Sequence, residues 1–380
     1  MNIAFLTPEY PHPKTGSAGG IGTSIVSLAK ALVEQGHRVS ILVYGQDQDD
    51  YFEDAGIHFF KIKNIKVKGL SLFLTQKKVE RLINNLYAEK KIDLVEAPDW
   101  TGFTSFVQPK CPLVIRQNGS DTYFCHHDKR KVKLKNKFLE RRALKKADGL
   151  ISVSEYTGNL TNKLFGLNRD FTVIPNGIDI KRFTPSASSL KKETILYFGT
   201  LIRKKGLLEL PEIFNQVHKK NKEVELLLVG KDSGDIQTGY HSTWALMQPL
   251  FNSSAMQKVR YLGAVPYSEM QNLIQEATVC VFPTFAEALP VSWLEAMAME
   301  KAIVASNIGW ANEMIEDALE GFLVHPTEYQ DYAKRILELL EDDNLRVNFG
   351  QSARKKVVQV FSHELVARQS VEFYKKILNS

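Results

Sequence analysis

Two carboxylates eight positions apart, Glu287 and Glu295, are the residues whose placement first implies chemistry. Residues 279–283 (VCVFP) form a short apolar run of buried-strand type. Residues 291–299 have the Leu, Ala, Met and Glu content of a helix, with Pro290 near the first turn, where a missing N–H does little harm. This spacing predicts Glu287 in the loop at the strand's carboxyl end and Glu295 one to two turns into the helix. In an open α/β sheet that edge is where ligands bind, so the pair can serve one ligand. Taken alone, Glu295 also reads as an exposed helix acid and Glu287 as a loop charge.

A second segment supplies the opposite charge. FGTLIRKKG, residues 198–206, follows the apolar run 194–197 and precedes a helical pattern with Leu207, Leu208, Leu210, Ile213, Phe214 and Val217 on one side. Gly199 allows a tight turn, and Arg203 and Lys205 carry positive charge. A helix starting near Gly206 would add free N–H groups and the positive end of its dipole, and a phosphate fits such a place. A basic turn by itself is also an ordinary solvated surface. At the amino terminus, 3–6 reads as a strand and 16–22 as a flexible glycine loop. Ile25, Leu28, Ala29 and Leu32 mark the buried stripe of a helix ended by Gly36, and 39–43 is a second strand, completing a βαβ unit. The loop is neither a GxGxxG fingerprint nor a P-loop.

Together with PNGID at 175–179, these segments resemble the retaining glycosyltransferases of the two-Rossmann-domain (GT-B) type, the glycogen synthase-like group of glycosyltransferase family 4. The resemblance spans nearly the whole chain. The loop bearing Gly19 and Gly20 is similar to that family's amino-terminal glycine pair, and PNGID to its interdomain segment. Lys205-Gly206 resembles its phosphate-binding Lys-Gly, and Glu287 to Glu295 its E-x7-E. The implied fold is α/β, with two Rossmann-like domains facing each other across a cleft. Residues 1–175 would be the acceptor domain, on which the last helix, 363–380, packs back, and 176–362 the donor domain. The implied activity moves a sugar, with retention, from a nucleotide-diphosphate donor to a glycan or lipid-linked acceptor in cell-surface polysaccharide or glycoconjugate synthesis.

By that resemblance Arg203, Lys205 and Glu287 are the catalytic candidates. Gly19, Gly20, Asn118, Gly199, Ala288, Leu289 and Glu295 are the substrate-binding ones, with Glu295 at the ribose and Glu287 and the amides near Ala288 and Leu289 at the sugar or its phosphate. The nucleotide sugar is a substrate, so no resident cofactor is expected. No DxD motif is evident, so no metal is expected either, and the fixed cations would take its place. Two positions depart from the family pattern. Thr200 stands where many members have Arg, which leaves Arg203 as the candidate second phosphate cation. Asn118 stands where many have His, and an amide takes up no proton near neutral pH. Glu96, Asp99 and Trp100, in EAPDWTG at a strand end, are candidates for the acceptor, or the two acids cap the following helix. Two alternatives share the architecture: a nucleotide-sugar 2-epimerase, against which the lack of a paired-His arrangement speaks, and a non-catalytic nucleotide-sugar-binding protein.

The elements that must position these residues are legible in outline. At 380 residues with 44% apolar content the chain suits two cores, and alternating helical and strand patterns indicate parallel sheets. Further strands are expected at 56–62, 92–95, 112–115, 149–153 and 171–174 in the first domain. In the second they fall at 194–198, 224–229, 258–261, 278–282 and 302–305, with helices at 332–340 and 363–378 and a hinge over 175–192. No 18-residue apolar span occurs and the amino terminus enters a strand directly, so a cytoplasmic protein is expected. Cys111, Cys125 and Cys280 lack metal-ligand spacing. Between Lys129 and Lys146 ten of eighteen residues are basic and only Glu140 is acidic, with Val132, Leu134, Phe138, Leu139 and Leu144 interleaved. This is a solvated helix face or an attractor of anionic membrane surface, and no nucleic-acid motif accompanies it. The long connection 231–258 carries Tyr240 and Trp244, which either shape a pocket edge or simply pack.

Overall fold

The structure, a computed structural model, describes residues 1–186 and 193–379. The expected hinge at 175–192 therefore lies partly, at 187–192, outside the described residues. The chain divides into two units, Met1–Gly177 with Phe361–Ser380, and Ile178–Val360.

The first unit is built on eight strands: β1 (Asn2–Thr7), β2 (Arg38–Gln46), β3 (Asp50–Asp54), β4 (Ile57–Lys63), β5 (Leu94–Pro98), β6 (Leu113–Gln117), β7 (Gly149–Ser152) and β8 (Thr172–Val173). They lie in the order β3-β4-β2-β1-β5-β6-β7-β8. All neighbours are parallel except β3–β4, an antiparallel edge pair. The inner strands are buried and mostly apolar because helices cover both faces; Ile3, Val39 and Leu94, which sit side by side in the register, are all fully buried. Strand β3 escaped the sequence reading because DYFED buries only Phe52 and so carries no apolar run.

Among the described residues the second unit has six strands, β9 (Thr194–Phe198), β10 (Glu225–Val229), β11 (Val259–Tyr261), β12 (Val279–Phe282), β13 (Ala302–Ala305) and β14 (Phe322–Leu323), ordered β11-β10-β9-β12-β13-β14 and parallel throughout. In each sheet the chain first moves outward on one side and then returns to the other side of its first strand. The switch points therefore fall between β1 and β5, and between β9 and β12. The loops leaving the carboxyl ends of such strands diverge and open a crevice.

The final helix, His363–Leu378, belongs to the first unit. It packs on the Gly20–Glu34 helix, and Val366, Ala367, Val371 and Tyr374 enter one core with Ile3, Phe5, Ile25 and Leu28. Within the glycine segment, crowding is greatest at Gly22, where a Cβ would lie 2.4 Å from that of Ala18. Gly19 caps the helix with extended backbone, and Gly20 opens it in free space.

Candidate active site

The switch point of the second unit joins two loops. Gly199 closes β9 with φ 142°, and its N–H donates to the Val229 carbonyl. Residues Arg203–Lys205 then make one turn of 3-10 helix that ends at Gly206 with φ 71°, a conformation for which glycine is suited. A Cβ at Gly206 would also meet the Pro283 carbonyl at 1.7 Å, so the position admits no side chain. The loop after β12 is stapled to this turn: the Phe285 N–H donates to the Lys204 carbonyl at 2.8 Å and the Thr284 hydroxyl to the same oxygen at 3.2 Å. The stapling brings together what the sequence separates by eighty residues. Lys205 forms an ion pair with Glu287.

The helix that follows spans Val291–Ala298, with Pro290 as its extended cap residue and not inside its first turn. Ala288 and Leu289 are buried in the loop before it. Glu295 is only 5% exposed, so the exposed-acid reading is wrong. Burial raises its pKa to about 7, against a hydrogen bond from Tyr267 and the charges of Arg182 and Lys205, which lower it. The Tyr267 hydroxyl donates to Glu295 Oε1 at 2.5 Å.

Two expectations for the basic turn need correction. The helix after it starts at Leu210, not near Gly206; residues 206–209 are turn, so its dipole begins a full turn away from Lys205. Arg203 is not an open cation, because its Nε and Nη2 donate to Asp235 Oδ1 and Oδ2 at 2.8 and 2.7 Å. That bidentate pair, with a hydrogen bond from the Thr238 hydroxyl, holds the Asp235 carboxyl far below its ordinary range. Arg203 thus anchors the long connection after β10. In the same connection Trp244 packs beside Tyr261, with centroids 5.1 Å apart, while Tyr240 is exposed and stacks on His241. Thr200 is exposed, and its carbonyl accepts the hydroxyl of buried Tyr197.

The switch point of the first unit is organised differently. Glu96 is buried and fully partnered: Arg116 Nε and Nη2 donate to its two oxygens at 2.8 and 3.2 Å, and the Tyr374 hydroxyl donates to Oε2 at 2.6 Å. The guanidinium also reaches the Ile174 carbonyl and the Ser370 hydroxyl. Glu96 is therefore a strut between the sheet and the final helix, which corrects its assignment to the acceptor. It caps no helix either. Asp99 precedes the 3-10 segment Trp100–Phe106 without capping it; its Oδ1 accepts the Asn118 N–H at 3.0 Å, and burial pushes its carboxyl up to about 8. Trp100 is half-buried and meets Phe124 edge-on. Asn118 follows β6 and lines a small depression with Ser24, Glu96 and Gly177. Glu9, on which the sequence reading was silent, sits at the end of β1 and accepts the Gly22 N–H at 3.0 Å.

The basic run forms the helix Leu134–Lys146. Leu139, Ala143 and Leu144 face inward. Glu140 is also fully buried: its carboxylate accepts the backbone N–H groups of Asp121 and Thr122 and the Thr122 hydroxyl, and burial raises its pKa to about 7. Leu134 and Phe138 project outward, 83% and 58% exposed, among lysines. Among the described residues, no helix is long and apolar enough to cross a membrane.

Residues 18–182 match the family described as Glycosyltransferase Family 4, and residues 180–356 that described as Glycosyl transferases group 1. An uncharacterised glycosyltransferase of Methanocaldococcus jannaschii is 25% identical, over 99% of this chain and 98% of its own. Among solved structures, sucrose-phosphate synthase of Thermosynechococcus elongatus superposes with a TM-score of 0.78 at 20% identity, covering both chains fully. HepE of Anabaena in complex with UDP-glucose reaches 0.76 at 20% identity, over 98% of this chain and 99% of that one. The chain belongs to the glycosyltransferases of GT-B fold and family 4 type. It is a nucleotide-sugar glycosyltransferase.

Proposed function

We propose that the protein is a retaining, metal-independent hexosyltransferase that moves a sugar from a nucleotide-diphosphate donor to a glycan or lipid-linked acceptor in polysaccharide or glycoconjugate synthesis. The observation that carries this reading is the stapled pair of loops at the β9–β12 switch point, which places Lys205 against Glu287 with Glu295 on the helix behind. As the sugar leaves, negative charge grows on the outer phosphate. A cation already fixed there lowers the barrier, and the loss of one such group commonly reduces turnover by about 10²–10³. Lys205 takes this role by exchanging Glu287 for the phosphate. Arg203 adds to it only as Asp235 releases it. Glu287, freed from the lysine, faces the sugar with the amides at Ala288 and Leu289, and Glu295 accepts from the ribose. The acceptor attacks from the face that the leaving phosphate occupies, and that phosphate takes the acceptor's proton. Asn118, with Gly19 and Gly20, belongs to the substrate-binding set by hydrogen bonding and close backbone approach, and Trp100 to the acceptor's.

Screening UDP-, GDP- and ADP-sugars for thermal stabilisation identifies the donor, since a ligand at ~100 times its dissociation constant stabilises by ~2.7 kcal/mol. Transfer with that donor is expected to continue in chelator. Activity lost in chelator and restored by magnesium or manganese would refute metal independence, and no stabilisation by any donor would refute the donor site.

The exposed pair Leu134 and Phe138, one helical turn apart beside Lys133, Lys135 and Lys137, supports a second element of the reading: peripheral attachment to an anionic bilayer at the cytoplasmic face. Vesicles containing anionic lipid are expected to capture the protein at low salt and neutral vesicles are not. Charge reversal at Lys133, Lys135 and Lys137 is expected to abolish capture. Equal recovery with both lipids would remove the attachment.

A further inference from the structure

Tyr267 belongs to no motif, yet it contacts the one acid of the site that is almost wholly buried. It lies in the loop after β11, and its ring is fixed from the segment that opens the second unit. The Arg182 guanidinium sits over the ring, 4.2 Å from its centroid, and its Nη2 donates to the Tyr267 carbonyl at 3.2 Å. Arg182 is placed in turn by Asp179, whose Oδ1 accepts the N–H groups of Lys181 and Arg182. Phe183 adds an aromatic contact with centroids 5.9 Å apart. Held in this way, the phenol aims its hydroxyl at Glu295 Oε1.

A buried carboxyl left to itself prefers its proton, and a protonated acid is a poor acceptor for a sugar hydroxyl. A donor fixed on one oxygen favours the charged form and leaves the other oxygen as a charge-assisted acceptor. We propose that Tyr267 is a positioning residue for the donor nucleotide: it occupies Oε1 of Glu295, keeps the carboxylate ionised, and turns Oε2 toward a ribose hydroxyl. The inference rests on the reading of Glu295 as the ribose acceptor. Besides Tyr267, the charged groups that act on Glu295 are Arg182 and Lys205, both of which favour its ionised form. Burial first, then the Glu295 carboxylate and least of all Asp179, push the phenol's pKa up against the charge of Arg182, so Tyr267 keeps its proton to donate.

The test is a titration of UDP, GDP and ADP, followed by the tightest of them across the neutral range. Inorganic diphosphate serves as a probe that carries phosphate but no ribose. Tyr267→Phe keeps the ring under Arg182 and removes only the hydroxyl. It is expected to weaken the nucleotide about tenfold near neutral pH, to leave inorganic diphosphate unaffected, and to move the pH below which nucleotide affinity falls to a higher value. Glu295→Gln is expected to weaken the nucleotide and abolish that pH dependence. If Glu295→Gln weakens the nucleotide while Tyr267→Phe retains wild-type affinity and pH profile, the role of Tyr267 is overturned. Equal loss of nucleotide and diphosphate in Tyr267→Phe would also overturn it, as general disruption. Glu295→Gln with unchanged nucleotide affinity would instead overturn the ribose reading itself.

Discussion

Glu96 in the middle of β5 and Asp99 just past its end are turned into the protein: one is held by Arg116 and Tyr374, and the other accepts the backbone N–H of Asn118. Beyond β12, Glu287 pairs with Lys205, and Glu295 accepts the Tyr267 hydroxyl on one oxygen. Each pair is carried by a strand at the switch point of a parallel sheet or by the segment that follows it, and both look alike as sequence. What separates them is the partner. An acid held by a buried arginine and a tyrosine of another helix is part of the frame, whereas a lysine in a turn that is paired with an acid can exchange that acid for a ligand's phosphate.

The sharpest way to break this comparison is to remove Glu96. Glu96→Ala leaves the Arg116 guanidinium buried without its counter-charge, and is expected to lower stability by about 3–5 kcal/mol in denaturant unfolding. A variant that melts like the wild type would mean the strut carries no load and reopen an acceptor role. Next in size, Arg203→Ala breaks the bidentate pair whose Asp235 partner is 1% exposed. A loss of about 1–3 kcal/mol is expected, with faster proteolytic cleavage in 231–243 and a smaller fall in turnover than Lys205→Ala produces. Cleavage at the wild-type rate would show that the pair does not hold the connection.

These two cases also show why the site was only partly legible. The apolar runs that became β1, β2, β9, β12 and β13 are buried on both faces and announce themselves. The turn glycines and the two acids of 287–295 sit at spacings that a motif preserves. Arg203 and Asp235 are joined across a whole strand and helix, and nothing at 231–243 signals that its acid returns to the basic turn. The Tyr267 contact with Glu295 has the same origin, as does the bond from Tyr374 to Glu96 across most of the chain. Charge in a turn reads as available until the partner from a distant segment is seen.

Asp99 sharpens the comparison by pH. Its folded pKa, about 8, lies above the ordinary 3.8, so its contribution to stability is full below 3.8 and is lost as pH rises through about 8. Asp99→Asn is therefore expected to gain relative to the wild type progressively as pH rises from the ordinary carboxylate range to about 8 and to level off above it, with no gain under acid conditions. Parallel melting curves at every pH would show that Asp99 is not buried as a neutral acid.

Turnover by Lys205→Ala, measured beside donor affinity and with folding checked by thermal melting, is the most direct test of the phosphate site at the β9–β12 edge. Because the charge that Lys205 meets is greatest as the sugar departs, kcat is expected to fall by about 10²–10³ while donor binding weakens far less. Wild-type turnover in a folded Lys205→Ala protein would contradict the placement of the leaving phosphate at the β9–β12 edge.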